Sequence, residues 1–198
     1  MSSILLSLLD RKWSAIAIGA STGGPKILTE IMDSLPNNKQ TSPIFIVQHM
    51  PKGFTTAFAQ RLDSICSLKV VEAQNGERIQ KGHVYIAPGD FHMTIQKQQI
   101  ALDQREKHLG VRPSVDYLFS SAARVYKDEL LSIILTGMGK DGTKGMKDTK
   151  KYGGVNIAQD KESSIIFGMP GSAIHNGVID QVLPLKEIIN QLNELLKR

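Results

Sequence analysis

The sequence predicts an α/β domain: a doubly wound, mainly parallel sheet flanked by helices, with a small antiparallel hairpin. Three observations carry this expectation. Short apolar, β-branched runs alternate with segments of helical periodicity, the pattern of a mainly parallel sheet. Glycine is abundant, 17 of 198 residues, as many tight strand-to-helix turns require. Pro25, Pro113, Pro170 and Pro184 each stand just ahead of a helical pattern, where a missing N–H costs least.

Taken in order, strands are predicted over 15–19, 43–48, 68–73, 84–87, 131–136, 155–158 and 178–182, each a compact run of apolar and β-branched residues. Helices are predicted over 26–35, 55–65, 115–126, 143–152, 171–175 and 185–196, where apolar positions recur at helical spacing. Residues 92–96 and 99–102 form the expected hairpin, closed by the polar Lys97-Gln98 turn. Neither an internal repeat nor a low-complexity tract interrupts the pattern.

Composition narrows the function classes. A chain of this length supports one substantial core, so residues 13–198 read as one domain and 1–12 as an N-terminal extension or linker remnant. The 24 Lys and Arg against 19 Asp and Glu leave +5, but most basic residues are scattered singly, which excludes a nucleic-acid surface and leaves room for steering an acidic protein partner. The one dense basic stretch, Lys140 to Lys151, reads as a solvated helix face. Cys66 is the single cysteine, so no internal disulfide forms, and its place at the end of an apolar-periodic segment points to packing. The run Ile4 to Leu9 is too short to span a bilayer and is followed by Arg11 and Lys12, unlike a signal peptide. A cytoplasmic protein without membrane insertion is expected.

In open parallel sheets the chemistry sits beyond the carboxyl ends of the strands. Three polar residues occupy such places. Strand 15–19 runs into Gly19-Ala20-Ser21-Thr22-Gly23-Gly24-Pro25, whose Gly-x-Ser-x-Gly spacing suits a nucleophile elbow. The same glycine turn also suits an ordinary strand-to-helix connection or a phosphate cradle. A serine needs a base, and among five histidines His49 alone directly follows a buried-looking strand, beside the first strand if consecutive strands pair. His83 stands at a strand start, His108 in a charged loop and His175 in a late helix, while His92 is placed at the rim. Asp141, in the glycine turn after strand 131–136, is the candidate that orients the base, or else a cap of the next helix.

The same turn supports a rival. Gly137, Gly139 and Gly142 match G-x-G-x-x-G between a strand and a helix, and Asp160 ends the next strand near where a ribose-binding acid belongs. The alternative is therefore a nucleotide-binding module, opposed by the charge of Asp141 inside the loop meant for a pyrophosphate.

Eight segments together resemble the catalytic domain of the chemotaxis protein-glutamate methylesterases, the CheB family. They are Gly19 to Pro25, Val47 to Pro51, Tyr85 to Gly89, Arg112 to Asp116, Ile134 to Gly139, Asp141-Gly142, Ala158 to Asp160 and Phe167 to Pro170, in the family's order. The resemblance implies a doubly wound α/β sandwich and a triad of Ser21, His49 and Asp141. It also implies hydrolysis of glutamate methyl esters on the cytoplasmic domain of methyl-accepting chemoreceptors, with release of methanol, and deamidation of receptor glutamines. No metal or cofactor is expected. The N–H groups of Thr22 and Met138 are the expected oxyanion donors. Family members usually carry an N-terminal receiver domain over the active site, whereas here the first predicted strand begins at residue 15. The turn Asp90-Phe91-His92 departs from the family's glycine- and histidine-rich version.

Overall fold

A computed structural model describes residues 11–197; the apolar run Ile4 to Leu9 lies outside the described residues. Seven strands form one sheet: β1 (Ala15–Ala20), β2 (Ile44–Gln48), β3 (Lys69–Glu72), β4 (His83–Ile86), β7 (Leu130–Ile134), β8 (Val155–Gln159) and β9 (Gln181–Leu183). Their spatial order is β3-β4-β2-β1-β7-β8-β9, and every neighbouring pair is parallel. Strands β5 (His92–Gln96) and β6 (Gln99–Asp103) pair antiparallel as the expected hairpin, turning at Lys97 with φ 57°.

Among the described residues, six α-helices cover the sheet: α1 (Gly24–Ser34), α2 (Phe54–Asp63), α3 (Val115–Tyr126), α4 (Thr143–Lys151), α5 (Met169–His175) and α6 (Leu185–Leu196). Pleating divides the strand side chains between two cores. Ile16, Ile18, Ile44, Ile46, Leu131 and Ile133 face one side and pack with Leu28 and Ile31 of α1, Leu62 of α2 and Leu192 of α6. Ala15, Ala17, Phe45 and Val47 face the other and meet Leu118 and Phe119 of α3, Met146 of α4, and Ile95 of the hairpin. Each such fully buried aliphatic chain contributes roughly 1.5–3 kcal/mol. Small side chains on β1 bring α3 close. A Cβ on Gly19 would come within 2.9 Å of a Val115 methyl, so this glycine serves helix packing as well as the turn.

Differences from expectation lie mostly at element ends. Pro25 and Pro170 stand inside the first turns of α1 and α5. The last strand is shorter and later than predicted: Val178 turns into the second core, and Val182, on the sheet edge, is exposed.

Candidate active site

The chain winds outward from β1 through β2 to the edge strand β3, steps back to β4 between β3 and β2, then crosses to β7 on the other side of β1. The crevice at such a reversal is where doubly wound sheets bind ligands. Ala20 of β1 pairs with Gln48 of β2, so the next residues, Ser21 and His49, leave adjacent strands side by side. The His49 N–H donates to Ala20 O at 3.0 Å, and the Ser21 N–H donates to Thr136 O, beyond β7, also at 3.0 Å.

Three further groups fix this turn. The Gln48 amide, buried between the strand ends, donates from Nε2 to Ser21 O at 2.9 Å and to His49 O at 3.1 Å, stapling the two loops together. Gly137 lies so close that a Cβ there would fall 2.7 Å from Ser21 Cβ. Thr136 Oγ1 donates to Thr22 O at 3.0 Å.

His49 Nε2 lies 2.8 Å from Asp141 Oδ2, leaving Nδ1 as the second ring nitrogen. Asp141 touches its own helix only through its neighbour: the N–H of Gly142, the φ 99° residue from which α4 starts, donates to Asp141 Oδ1 at 3.0 Å, and no N–H within α4 reaches it. Its carboxylate instead receives the N-terminus of α3: Ser114 Oγ at 2.9 Å, the Val115 N–H at 2.7 Å and the Asp116 N–H at 3.0 Å. Burial pushes the Asp141 carboxyl up, yet the bond and charge of His49, with the Asp116 and Val115 N–H groups, outweigh it and hold the carboxyl below its usual range. Asp141 therefore caps the start of α3, a different helix from the one it precedes, and meets His49 at the same time.

Asp116 was not legible as a site residue. Its Oδ1 accepts from the N–H groups of Gly142 at 3.0 Å and Gly145 at 2.8 Å, at the start of α4, and its Oδ2 meets His108 Nε2 at 2.8 Å. Burial first, then the neighbouring Asp141 charge, raises the Asp116 carboxyl above its usual value. His108 thus belongs to a second His–Asp pair beside the first. The ligand atoms of His108, Asp116 and Asp141 lie within 4.8 Å of one another, but their carboxylates face N–H donors, an environment built for anions and not for a cation. His92 does not line the rim: it is fully buried, edge-on to Tyr117, with Nε2 at 3.1 Å from Glu106 O, and burial lowers its imidazole.

The nucleotide reading fails on the same geometry. The N–H groups at the start of α4 that would receive a phosphate are taken by Asp116. The loop carrying Gly137 and Gly139 is covered by 166–169, with Gly137 N–H on Ile166 O at 2.9 Å and Met169 N–H on Gly137 O at 2.8 Å. Asp160 is spent on Ser163, accepting from its N–H at 2.9 Å and its hydroxyl at 2.6 Å. Cys66 sits half-buried just past α2, and burial pushes its thiol up, as a packing residue's would be.

A doubly wound α/β domain carrying a serine, a histidine and a buried carboxylate at its switch point has the make-up of a serine hydrolase. Comparison with known proteins narrows the class. Residues 16–192 match the family model described as CheB methylesterase, and the chain belongs to that family. A "Protein-glutamate methylesterase/protein-glutamine glutaminase" of Thermotoga maritima is 50% identical over 185 residues, 91% of this chain and 54% of the relative. One of the same name from Pyrococcus abyssi is 46% identical over 178 residues, 88% of this chain and 48% of the relative. The chain thus spans about half the length of the curated relatives it matches. The crystal structure of the Thermotoga maritima CheB methylesterase catalytic domain superposes with a TM-score of 0.87 at 48% identity, covering 93% of this chain and all of that one. The expected fold and family are both borne out. Among the described residues, no helix is long and apolar enough to cross a membrane.

Proposed function

We propose that this chain hydrolyses glutamate methyl esters in the cytoplasmic domain of chemoreceptors, with Ser21 as nucleophile, His49 as base and Asp141 orienting the imidazole. The observation that carries it is the 2.8 Å His49–Asp141 contact on the strand next to Ser21, at the switch point of the sheet. With Nε2–H given to the carboxylate, His49 keeps the lone pair on Nδ1 for the Ser21 proton.

Ser21 Oγ attacks the ester carbonyl as its proton passes to Nδ1. The proton then goes to the departing methoxide, methanol leaves, and Ser21 holds the glutamyl group as an acyl ester. Water, deprotonated by the same nitrogen, attacks the acyl carbonyl; that proton returns to Ser21 Oγ, and the glutamic acid released loses its remaining proton to solvent to become a carboxylate. A glutamine side chain passes through the same acyl-enzyme with ammonia as leaving group, which accounts for deamidation. The Thr22 and Met138 N–H groups stabilise the oxyanion; both are on exposed turns flanking Ser21, and each is worth about 3 kcal/mol of barrier if aimed at that oxygen. The proton transfers to and from Ser21 are carried by His49, and no metal or cofactor enters the scheme.

Methanol release from methylated receptor, followed with the unaltered chain and with Ser21→Ala, tests this reading. Release should fall by on the order of 10³-fold or more in the variant. Undiminished release would remove Ser21 from the mechanism.

A further inference from the structure

A cleft of about 420 Å³ opens beside His49 and is lined by four charged side chains, Lys52, Asp90, Lys107 and Arg112. Two of these neutralise each other. Arg112 reaches Asp90 Oδ1 from Nε at 3.1 Å and Nη2 at 2.5 Å, while its Nη1 donates to the carbonyls of Gln104 and Arg105 at 2.8 Å each. That guanidinium holds the Asp90 carboxyl below its usual value and acts as a strut for the loop above the cleft. Lys52 and Lys107 are exposed, and no other acid lines the cleft. Two positive charges are therefore left over.

Their placement is tied to the site. Lys52 is three residues past His49 on the same loop, and Lys107 precedes His108, whose imidazole is bound to Asp116. Across the sheet edge the surface changes character. The cleft lies on the β2 side of Ser21, whereas Met138, Ile165 and Ile166, 76%, 57% and 39% exposed, lie on the β7 and β8 side. A segment crossing Ser21 meets cations on one side and apolar surface on the other. Residues one turn apart on a helix face are roughly 5–6 Å apart, close to the spacing of neighbouring strands at roughly 4.8 Å. A helix laid across the strand ends with its ester over Ser21 carries the residue one turn along to the His49 side, where the cleft opens.

We propose that this cleft is a carboxylate subsite, in which Lys52 and Lys107 read an Asp or Glu one helical turn from the ester-bearing glutamate of an acidic, helical protein substrate. This rests on the hydrolase reading above and adds a substrate rule to it.

The test uses helical peptides carrying one glutamate methyl ester with Glu, Gln or Lys one turn away. Methanol release by the unaltered chain gives kcat/KM, and fluorescence anisotropy with the Ser21→Ala chain gives affinity for the same peptides. The Glu peptide should be preferred over the Gln peptide by ~10-fold in both measures, and the preference should vanish near 1 M salt, where the screening length is about 3 Å. Replacing Lys52→Glu and Lys107→Glu together should turn the preference toward the Lys peptide. Lys52→Gln with Lys107→Gln, a milder change to the surface, should level it. Equal values for the Glu and Gln peptides in the unaltered chain overturn the subsite, whether or not methanol is released. Absence of methanol from every peptide overturns the hydrolase reading, and the anisotropy ratio then decides the subsite by itself.

Discussion

Asp116 and Asp141 exchange helix caps. Asp141, just ahead of α4, accepts the Val115 and Asp116 N–H groups at the start of α3, and Asp116, in the first turn of α3, accepts the Gly142 and Gly145 N–H groups at the start of α4. Two buried like charges are tolerated because each faces the positive end of a helix and a histidine. The exchange fixes the carboxylate that meets His49 from several directions at once, as an orienting group requires.

Asp141→Asn should lower kcat for methanol release by on the order of 10⁴-fold, because an amide nitrogen in place of Oδ2 would point a donor at both His49 and the Val115 N–H and impose the wrong imidazole tautomer. Single-turnover kinetics measures this, with circular dichroism confirming a folded chain. A kcat within tenfold of the unaltered chain would exclude Asp141 as the orienter.

Asp116→Asn should change the pH dependence of stability. The Asp116 carboxyl is raised above 3.8 in the folded chain, so from about that pH up to its folded value the native state binds more protons than the unfolded state. Stability from this group is then present at lower pH and lost as pH rises through the folded value. Asp141 works in the opposite sense: its contribution is present above 3.8 and lost as pH falls through its lowered folded value. Removing the Asp116 carboxyl should leave a stability profile that rises more steeply above about pH 4. Urea unfolding between acid and neutral pH reads this out, and an unchanged slope refutes the assignment.

Gly137→Ala should reduce kcat/KM by on the order of 10²-fold, since the new methyl would lie 2.7 Å from Ser21 Cβ and 3.1 Å from Ser21 N and displace the serine. Steady-state kinetics on methylated receptor checks it. Full activity would mean that the turn relaxes without moving Ser21.

Gln48→Ala removes both hydrogen bonds that tie the Ser21 and His49 loops, at 2.9 and 3.1 Å. Each is worth about 0.5–1.5 kcal/mol net, so unfolding free energy should drop by about 1–3 kcal/mol, and kcat/KM should fall with it as the two loops separate. Denaturant unfolding and kinetics on one preparation test both effects; a loss in neither would show that the Gln48 amide is dispensable.

Much of this fold was readable because strands and helices are local. α3 and α6 fall on the residues predicted, 115–126 and 185–196, since apolar periodicity and flanking prolines mark them directly. Ser21, His49 and Asp141 were singled out because each follows a strand, a position that sequence order discloses. Gln48 carried no comparable signal: as the last residue of an apolar strand it looks like any polar strand end. Asp116 lay within a recognised segment, yet on an amphipathic helix an early acid reads as an ordinary first-turn residue favoured by the helix dipole.

Sequence by itself determined which segments become strands and helices, that they alternate into a parallel sheet, and that a serine, a histidine and an aspartate lie in the loops after three of those strands. Only the tertiary structure decided which groups those side chains meet. The strand order set β1 between β2 and β7, which put Ser21 beside His49. The packing of α3 against α4 then turned Asp141 from a cap of its own helix into the cap of another, and filled the glycine loop's anion site with Asp116. The physical reason is the range of the interactions. Periodicity and turn chemistry act over a few neighbouring residues, whereas the Asp141 and Asp116 contacts join groups 25 to 29 residues apart, and those to His49 and Gln48 bridge separate strands.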